Sequence, residues 1–177
     1  MLGALGRCGR GAADSLATAG IEPTPWDLAE TRALDRLALL GHELLVNAVL
    51  STSPGEPFLT SAHLDAPRKL RTISDVACDV GSPCNMLPVY DEATSWTVPV
   101  RRLRDDPALD LISIDNLPSL VPREASTDFS AALAPQLAKL GRDTAPGNAW
   151  DRCLDRFRQA VAPHAPGDSR EERNADD

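Results

Sequence analysis

Gly3-Ala4-Leu5-Gly6-Arg7-Cys8-Gly9-Arg10-Gly11 opens the chain, and the reading of this stretch decides the fold. Its glycines make a turn that runs directly into Ala12, Ala13, Leu16 and Ala19. Those residues form an apolar face at helical spacing, closed by Gly20 as a C-cap. Glycine at such a turn lets backbone approach a pyrophosphate, which the following helix N-terminus then holds. A plain tight turn would use the same glycines.

The next element narrows the choice. Pro23 to Leu28 reads as a short extended segment ending at Trp26-Asp27. That places an acid about 20 residues beyond the glycines, where a dinucleotide fold sets a carboxylate on the adenine ribose. A carboxylate there accepts hydrogen bonds from the ribose hydroxyls and repels a 2′-phosphate, which favours NAD over NADP.

Further strands are expected outward from this unit. Glu43 to Leu50 is an apolar run interrupted at Asn47, suited to a buried parallel strand. Leu70 to Val76, Trp96 to Val100 and Asp110 to Ile114 are the other candidates, separated by turn sequences such as Ser53-Pro54-Gly55 and Gly81-Ser82-Pro83. Phe129, Leu133, Leu137 and Leu140 make one helical stripe, and Trp150, Leu154, Phe157 and Val161 make a second. Both stripes are read as core-packing faces, although the second could instead face a partner. The fold class is therefore α/β, a Rossmann-like parallel sheet flanked by helices, with C-terminal helices. A dinucleotide fold has a full strand before its glycine turn. Only Met1 and Leu2 precede Gly3 here, so the sheet is expected to be incomplete at its N-terminus.

Composition excludes several function classes. With 177 residues the chain is long enough for one domain with a real core. The net charge of −8 argues against nucleic acid, whose phosphates need clustered Lys and Arg. No apolar run reaches the roughly 20 residues of a membrane span, and Met1 to Gly11 lacks a signal-peptide core, so a cytoplasmic location is expected. Cys8, Cys78, Cys84 and Cys153 form no CxxC pair, and no metal site is read from them. They are expected to be reduced thiols packed mainly as small hydrophobes.

The opening stretch, then Arg71-Thr72-Ile73-Ser74-Asp75-Val76, resembles the NAD-dependent, lysine-forming saccharopine dehydrogenases. The likeness is strongest from Ile112-Ser113-Ile114-Asp115-Asn116-Leu117-Pro118-Ser119-Leu120-Val121-Pro122-Arg123-Glu124-Ala125-Ser126. It continues through Phe129-Ser130 and Arg142-Asp143-Thr144-Ala145-Pro146, covering roughly residues 2 to 162. Members are two-domain enzymes related to alanine dehydrogenase that cleave saccharopine oxidatively with NAD to L-lysine and 2-oxoglutarate. The resemblance implies the same function in lysine metabolism, with saccharopine, or lysine and 2-oxoglutarate, as the small-molecule partners.

The resemblance also nominates residues. Gly6 and Arg7 match the glycine turn at the pyrophosphate and ribose, Asp27 the ribose acid, and Thr31 and Leu50 further cofactor contacts. Val76 matches a position beside the nicotinamide, and Ile114, Asp115, Asn116 and Leu117 a loop that also meets the cofactor. Ala77, Cys78 and Asp79 match the stretch lining the saccharopine site. Thr31 as a helix cap and Cys78 as a packed small residue are the bland alternatives. The sequence departs from the family at Cys84-Asn85-Met86, where His-Asn-Pro is usual, and at Asn116 and Leu50, where His and Tyr are common.

The family's acid–base lysine and histidine lie in an N-terminal domain. Lys69, Lys139, His42, His63 and His164 sit in no stretch matching that region, so no catalytic residue is assigned. The expected organisation is a truncated NAD-binding domain over 1–122, C-terminal helices over 123–162 that pack towards an N-terminal catalytic half, and a disordered acidic tail over 163–177. The competing readings are a non-catalytic nucleotide-binding or interaction module and a related opine- or alanine-dehydrogenase-type oxidoreductase.

Overall fold

The computed structural model describes residues 1–140, 142 and 147–162, so the expected tail and most of the Arg142–Pro146 motif lie outside the described residues. The chain divides into two compact units, one of Met1–Leu117 and a second beginning at Pro118.

The first unit is built on a sheet. Its strands are β1 (Leu44–Asn47), β2 (Thr72–Asp75), β3 (Arg101–Asp105) and β4 (Ala108–Ile112), in the spatial order β1-β2-β4-β3. β1, β2 and β4 run parallel, while β3 pairs antiparallel with β4 at the edge. Beyond β1 the ladder continues through single bridged residues: Leu2 pairs in parallel with Asn47 on one side and with Trp26 on the other. Backbone hydrogen bonds fix that placement, from Leu2 N to Val46 O (2.9 Å), Ala48 N to Leu2 O (3.1 Å) and Trp26 N to Met1 O (2.8 Å). The Met1 ammonium donates to Thr24 O at 2.8 Å, and desolvation holds it below its usual range. A hollow of about 300 Å³ lies beside this ammonium, lined by residues including Pro23, Thr24, Glu43, Leu44 and Val46. The expected α/β, Rossmann-like class stands, with an antiparallel edge strand added.

Helices α1 (Arg7–Thr18), α2 (Leu28–Thr31) and α3 (Arg36–Leu40) connect the N-terminal half of the sheet. The core is mainly aliphatic, with Trp26 and Phe58 as its aromatic members. Leu2, Leu45, Ile73, Leu109 and Leu111 from the sheet pack with Leu39 and Leu40 from α3 and with Leu59, Leu64, Leu70 and Leu87 from the long connections. Each such side chain contributes roughly 1.5–3 kcal/mol by leaving water.

The expected strand over Trp96 to Val100 is absent; those residues turn at the surface, and the strand begins at Arg101. Pro99 explains the difference, since it cannot donate to a ladder. Ser95 and Val98 close the turn instead, through Ser95 N to Val98 O at 3.1 Å. β3 is arginine-rich, as suits an exposed edge, and its Arg102 Nε meets Asp110 Oδ1 on β4 at 2.6 Å.

The second unit carries α4 (Pro122–Leu137) and α5 (Ala149–Val161). Neither contains a buried residue. Phe129 is 64% exposed and Phe157 62%, so the two stripes expected to be core-packing are open faces. Helical periodicity specifies a face and says nothing of what covers it. The cysteines also depart from expectation: Cys8 and Cys153 are exposed, and only Cys78 and Cys84 are partly buried.

Candidate functional site

Parallel strands deliver the segments that follow them to one edge of the sheet. Gly3 follows Leu2, Asp27 follows Trp26, Ala48 to Leu50 follow β1, Val76 to Asp79 follow β2, and Ser113 to Leu117 follow β4. From Leu2 the chain moves first to Trp26 on one side and later to β1 on the other. Leu2 therefore marks the point where the strand order reverses, and open α/β sheets bind ligands at the carboxyl ends of the strands beside such a point.

At this point the glycines are required by contact rather than by composition. Gly3 has φ +73°, and a Cβ there would stand 2.9 Å from Ala48 O. A Cβ on Gly9 would stand 2.0 Å from Gly3 O, so helix α1 can start only if this position is bare. Gly6 is the N-cap and Arg7 the first helical residue.

Asp27 is the N-cap of α2. Its Oδ2 accepts from Leu5 N and its Oδ1 from Leu28 N, both at 2.8 Å, while its own N–H donates to Glu30 Oε2 at 2.8 Å. The Leu5 and Leu28 hydrogen bonds hold the carboxyl below the usual aspartate range, so it is ionised at neutral pH. Each oxygen keeps a lone pair for a further donor. Thr31 ends α2 rather than capping a start, and its Oγ1 donates to Asp27 O at 2.8 Å. It therefore braces the same residue from behind.

At the other end, Val76 N donates to Asn47 O at 2.8 Å, and Ala77, Cys78 and Asp79 are all partly buried. Cys78 has φ +47° and Asn116 φ +56°, left-handed conformations uncommon outside glycine. Ile114 is buried, Leu117 half-buried, and Asp115 and Asn116 exposed. Leu50 lies in an irregular segment at 69% exposure. A separate apolar hollow of about 550 Å³, on the flank of α1 and lined by residues such as Ala13, Ala17, Ile21 and Pro25, includes none of the candidate residues.

A set of residues that sequence reasoning missed lies beneath this edge. Asp75 is buried and accepts from Asn47 Nδ2 (2.9 Å) and Ala77 N (3.1 Å) at Oδ1, and from Tyr90 OH (2.6 Å) at Oδ2. Tyr90 OH also meets Ser113 Oγ at 2.8 Å. Burial, then the hydrogen bond to Asp75, pushes the Tyr90 hydroxyl well above the usual phenol range. The one available signal was a polar residue interrupting an apolar strand, at Asn47. Its partner within the cluster, Asp75, is 28 residues away and shares no local pattern with it.

The sheet, its switch point and the glycine turn define an α/β chain of the Rossmann-like class. The particular likeness is to the saccharopine dehydrogenases, as the sequence suggested. The enzyme named saccharopine dehydrogenase [NAD(+), L-lysine-forming] from Neurospora crassa is 40% identical over 170 residues, covering 92% of this chain and 45% of that protein. Those of Candida albicans and Schizosaccharomyces pombe are each 39% identical, covering 92% and 91% of this chain. The chain thus spans less than half the length of these curated relatives. No protein-family model matches it. Among the described residues, no helix is long and apolar enough to cross a membrane.

Proposed function

We propose that this chain is the NAD-binding half of an enzyme that cleaves saccharopine oxidatively to L-lysine and 2-oxoglutarate, and that it is inactive alone. The observation that carries the reading is the identity of about 40% to lysine-forming, NAD-dependent relatives over nine-tenths of the chain. The geometry of Asp27 supports the cofactor. Its carboxylate stands one strand away from the glycine turn, is held by two backbone N–H groups, and has lone pairs to spare for ribose hydroxyls.

In this reading the first turn of α1, entered at Gly6 and Arg7, faces the pyrophosphate with backbone donors and the positive end of the helix dipole. Thr31 and Leu50 flank the adenosine end. Val76 and the loop of Ile114, Asp115, Asn116 and Leu117 border the nicotinamide, and Ala77, Cys78 and Asp79 line the saccharopine side. NAD supplies the hydride acceptor when bound. A cytoplasmic N-terminal half would supply the acid–base groups for imine hydrolysis, with the helices over 123–162 packing towards it.

Calorimetric titration of the chain with NAD tests the proposal, with Asp27→Ala as the control. Saturable binding is expected, weakened roughly tenfold to a hundredfold by the substitution, the range for hydrogen bonds to a charged group. Absence of binding by a folded chain would overturn the cofactor assignment.

A further inference from the structure

The buried cluster beneath the sheet edge is more than packing. Asn47, Asp75 and Ser113 are 1%, 2% and 0% exposed, and among the described residues no buried side-chain polar atom lacks a partner. The cluster joins four separate parts of the chain: the end of β1, the end of β2, the connection holding Tyr90, and the residue after β4. An apolar set of similar volume would pack the same space without needing every bond satisfied.

Its bonds reach the segments that follow β1 and β2 and hold Ser113, the residue that leads into the 114–117 loop. Asp75 Oδ1 holds Ala77 N, and Asn47 Oδ1 holds Val49 N at 3.2 Å. Ser113 O receives the Cys78 thiol at 3.7 Å and Thr94 N at 2.7 Å, while Ser113 N donates to Thr94 Oγ1 at 2.9 Å. Tyr90 OH bridges Asp75 and Ser113 and so ties the end of β2 to the end of β4. The 76–79 and 114–117 loops each contain a non-glycine residue at positive φ, Cys78 and Asn116, a conformation that persists only where surroundings over-determine it.

We infer that Asn47, Asp75, Tyr90 and Ser113 form a clamp that fixes the 76–79 and 114–117 loops against each other, making them positioning residues for the nicotinamide end of the site. The assignment of that end rests on the function proposed above; the clamp itself does not.

Two measurements separate these statements. In a chain carrying Cys8→Ser, Cys84→Ser and Cys153→Ser, the remaining Cys78 thiol reports on the 76–79 loop through its rate of reaction with a disulfide reagent. Tyr90→Phe, which removes one hydroxyl and keeps the ring, is expected to raise that rate about tenfold, the scale of one lost buried hydrogen bond. Asp75→Asn, which aims a donor where an acceptor stood, should do the same. An unchanged rate in both folded variants overturns the clamp.

The second measurement compares NAD with ADP-ribose, which lacks the nicotinamide. Tyr90→Phe should weaken NAD about tenfold and leave ADP-ribose unchanged. Equal weakening of both would overturn the positioning role. Should the parent chain bind neither ligand, the functional reading fails while the thiol rate still decides the clamp.

Discussion

The two ends of the candidate crevice are built from different materials. At the glycine turn the chain is held by its own backbone: Gly9 against Gly3, and the Leu5 and Leu28 N–H groups on an exposed carboxylate. At the ends of β2 and β4 it is held by buried side chains from distant parts of the sequence. The first end has no room for an added atom at Gly3 or Gly9, and the second depends on bonds that no lost atom would leave intact. A site made this way is fixed by close backbone contact at the turn and by buried side-chain hydrogen bonds at the loops.

The largest expected effect strikes the glycine turn. Gly9→Ala would drive a Cβ into the backbone of Gly3 and Ala4, which no rotamer can relieve. Urea unfolding should show a loss of about 3 kcal/mol, at the upper end for overpacking. A loss below about 0.5 kcal/mol, the level of a neutral surface change, would mean that the turn gives way easily and the contrast is false.

Asn47→Ala tests the other end by subtraction. It removes the donor to Asp75 and the acceptor for Val49 N, at a cost of about 2 kcal/mol for groups left buried without partners. The same denaturation series reads it. If the variant were as stable as the parent, the cluster would be filling space only.

The smallest effect sharpens the comparison through pH. The folded-state pKa of Asp27 is depressed, so its contribution is present above the ordinary aspartate value and is lost as pH falls through the lower folded value. Asp27→Asn should therefore lower neutral stability slightly and flatten the acid limb of a stability–pH curve below about pH 4 by the same amount. Solvent screening keeps this effect small. A steeper acid limb in the variant would contradict the backbone-held carboxylate.

The contrast between the ends also explains what could be read from the sequence. Glycines spaced for a turn, a helix-period face behind them and an acid at the next strand end are local features, and local features follow from chemistry over a few residues. The parallel strands near Leu45, Ile73 and Leu111 were likewise visible as apolar runs. Tyr90 was not, because its partners lie 15 and 23 residues away and nothing near it marks the contact. Trp96 to Val100 misled because its residues suit a strand while Pro99 removes the donor that a strand requires. The helical stripes of α4 and α5 were seen correctly as stripes, and their exposure could not be read, since a periodic face looks the same covered or bare.

The placement of Met1 has a practical consequence. Its ammonium sits inside the sheet, bonded to Thr24 O, with Trp26 and β1 on either side of Leu2. Residues joined ahead of it would enter the hollow beside the ammonium, between Thr24 and β1. An affinity tag or fusion at that end would be a strand insertion, with its first residues alternating between the two faces of the sheet. A handle of Gly and Ser placed there should compete with the fold it was meant to leave alone, whereas a short β-branched leader would extend it.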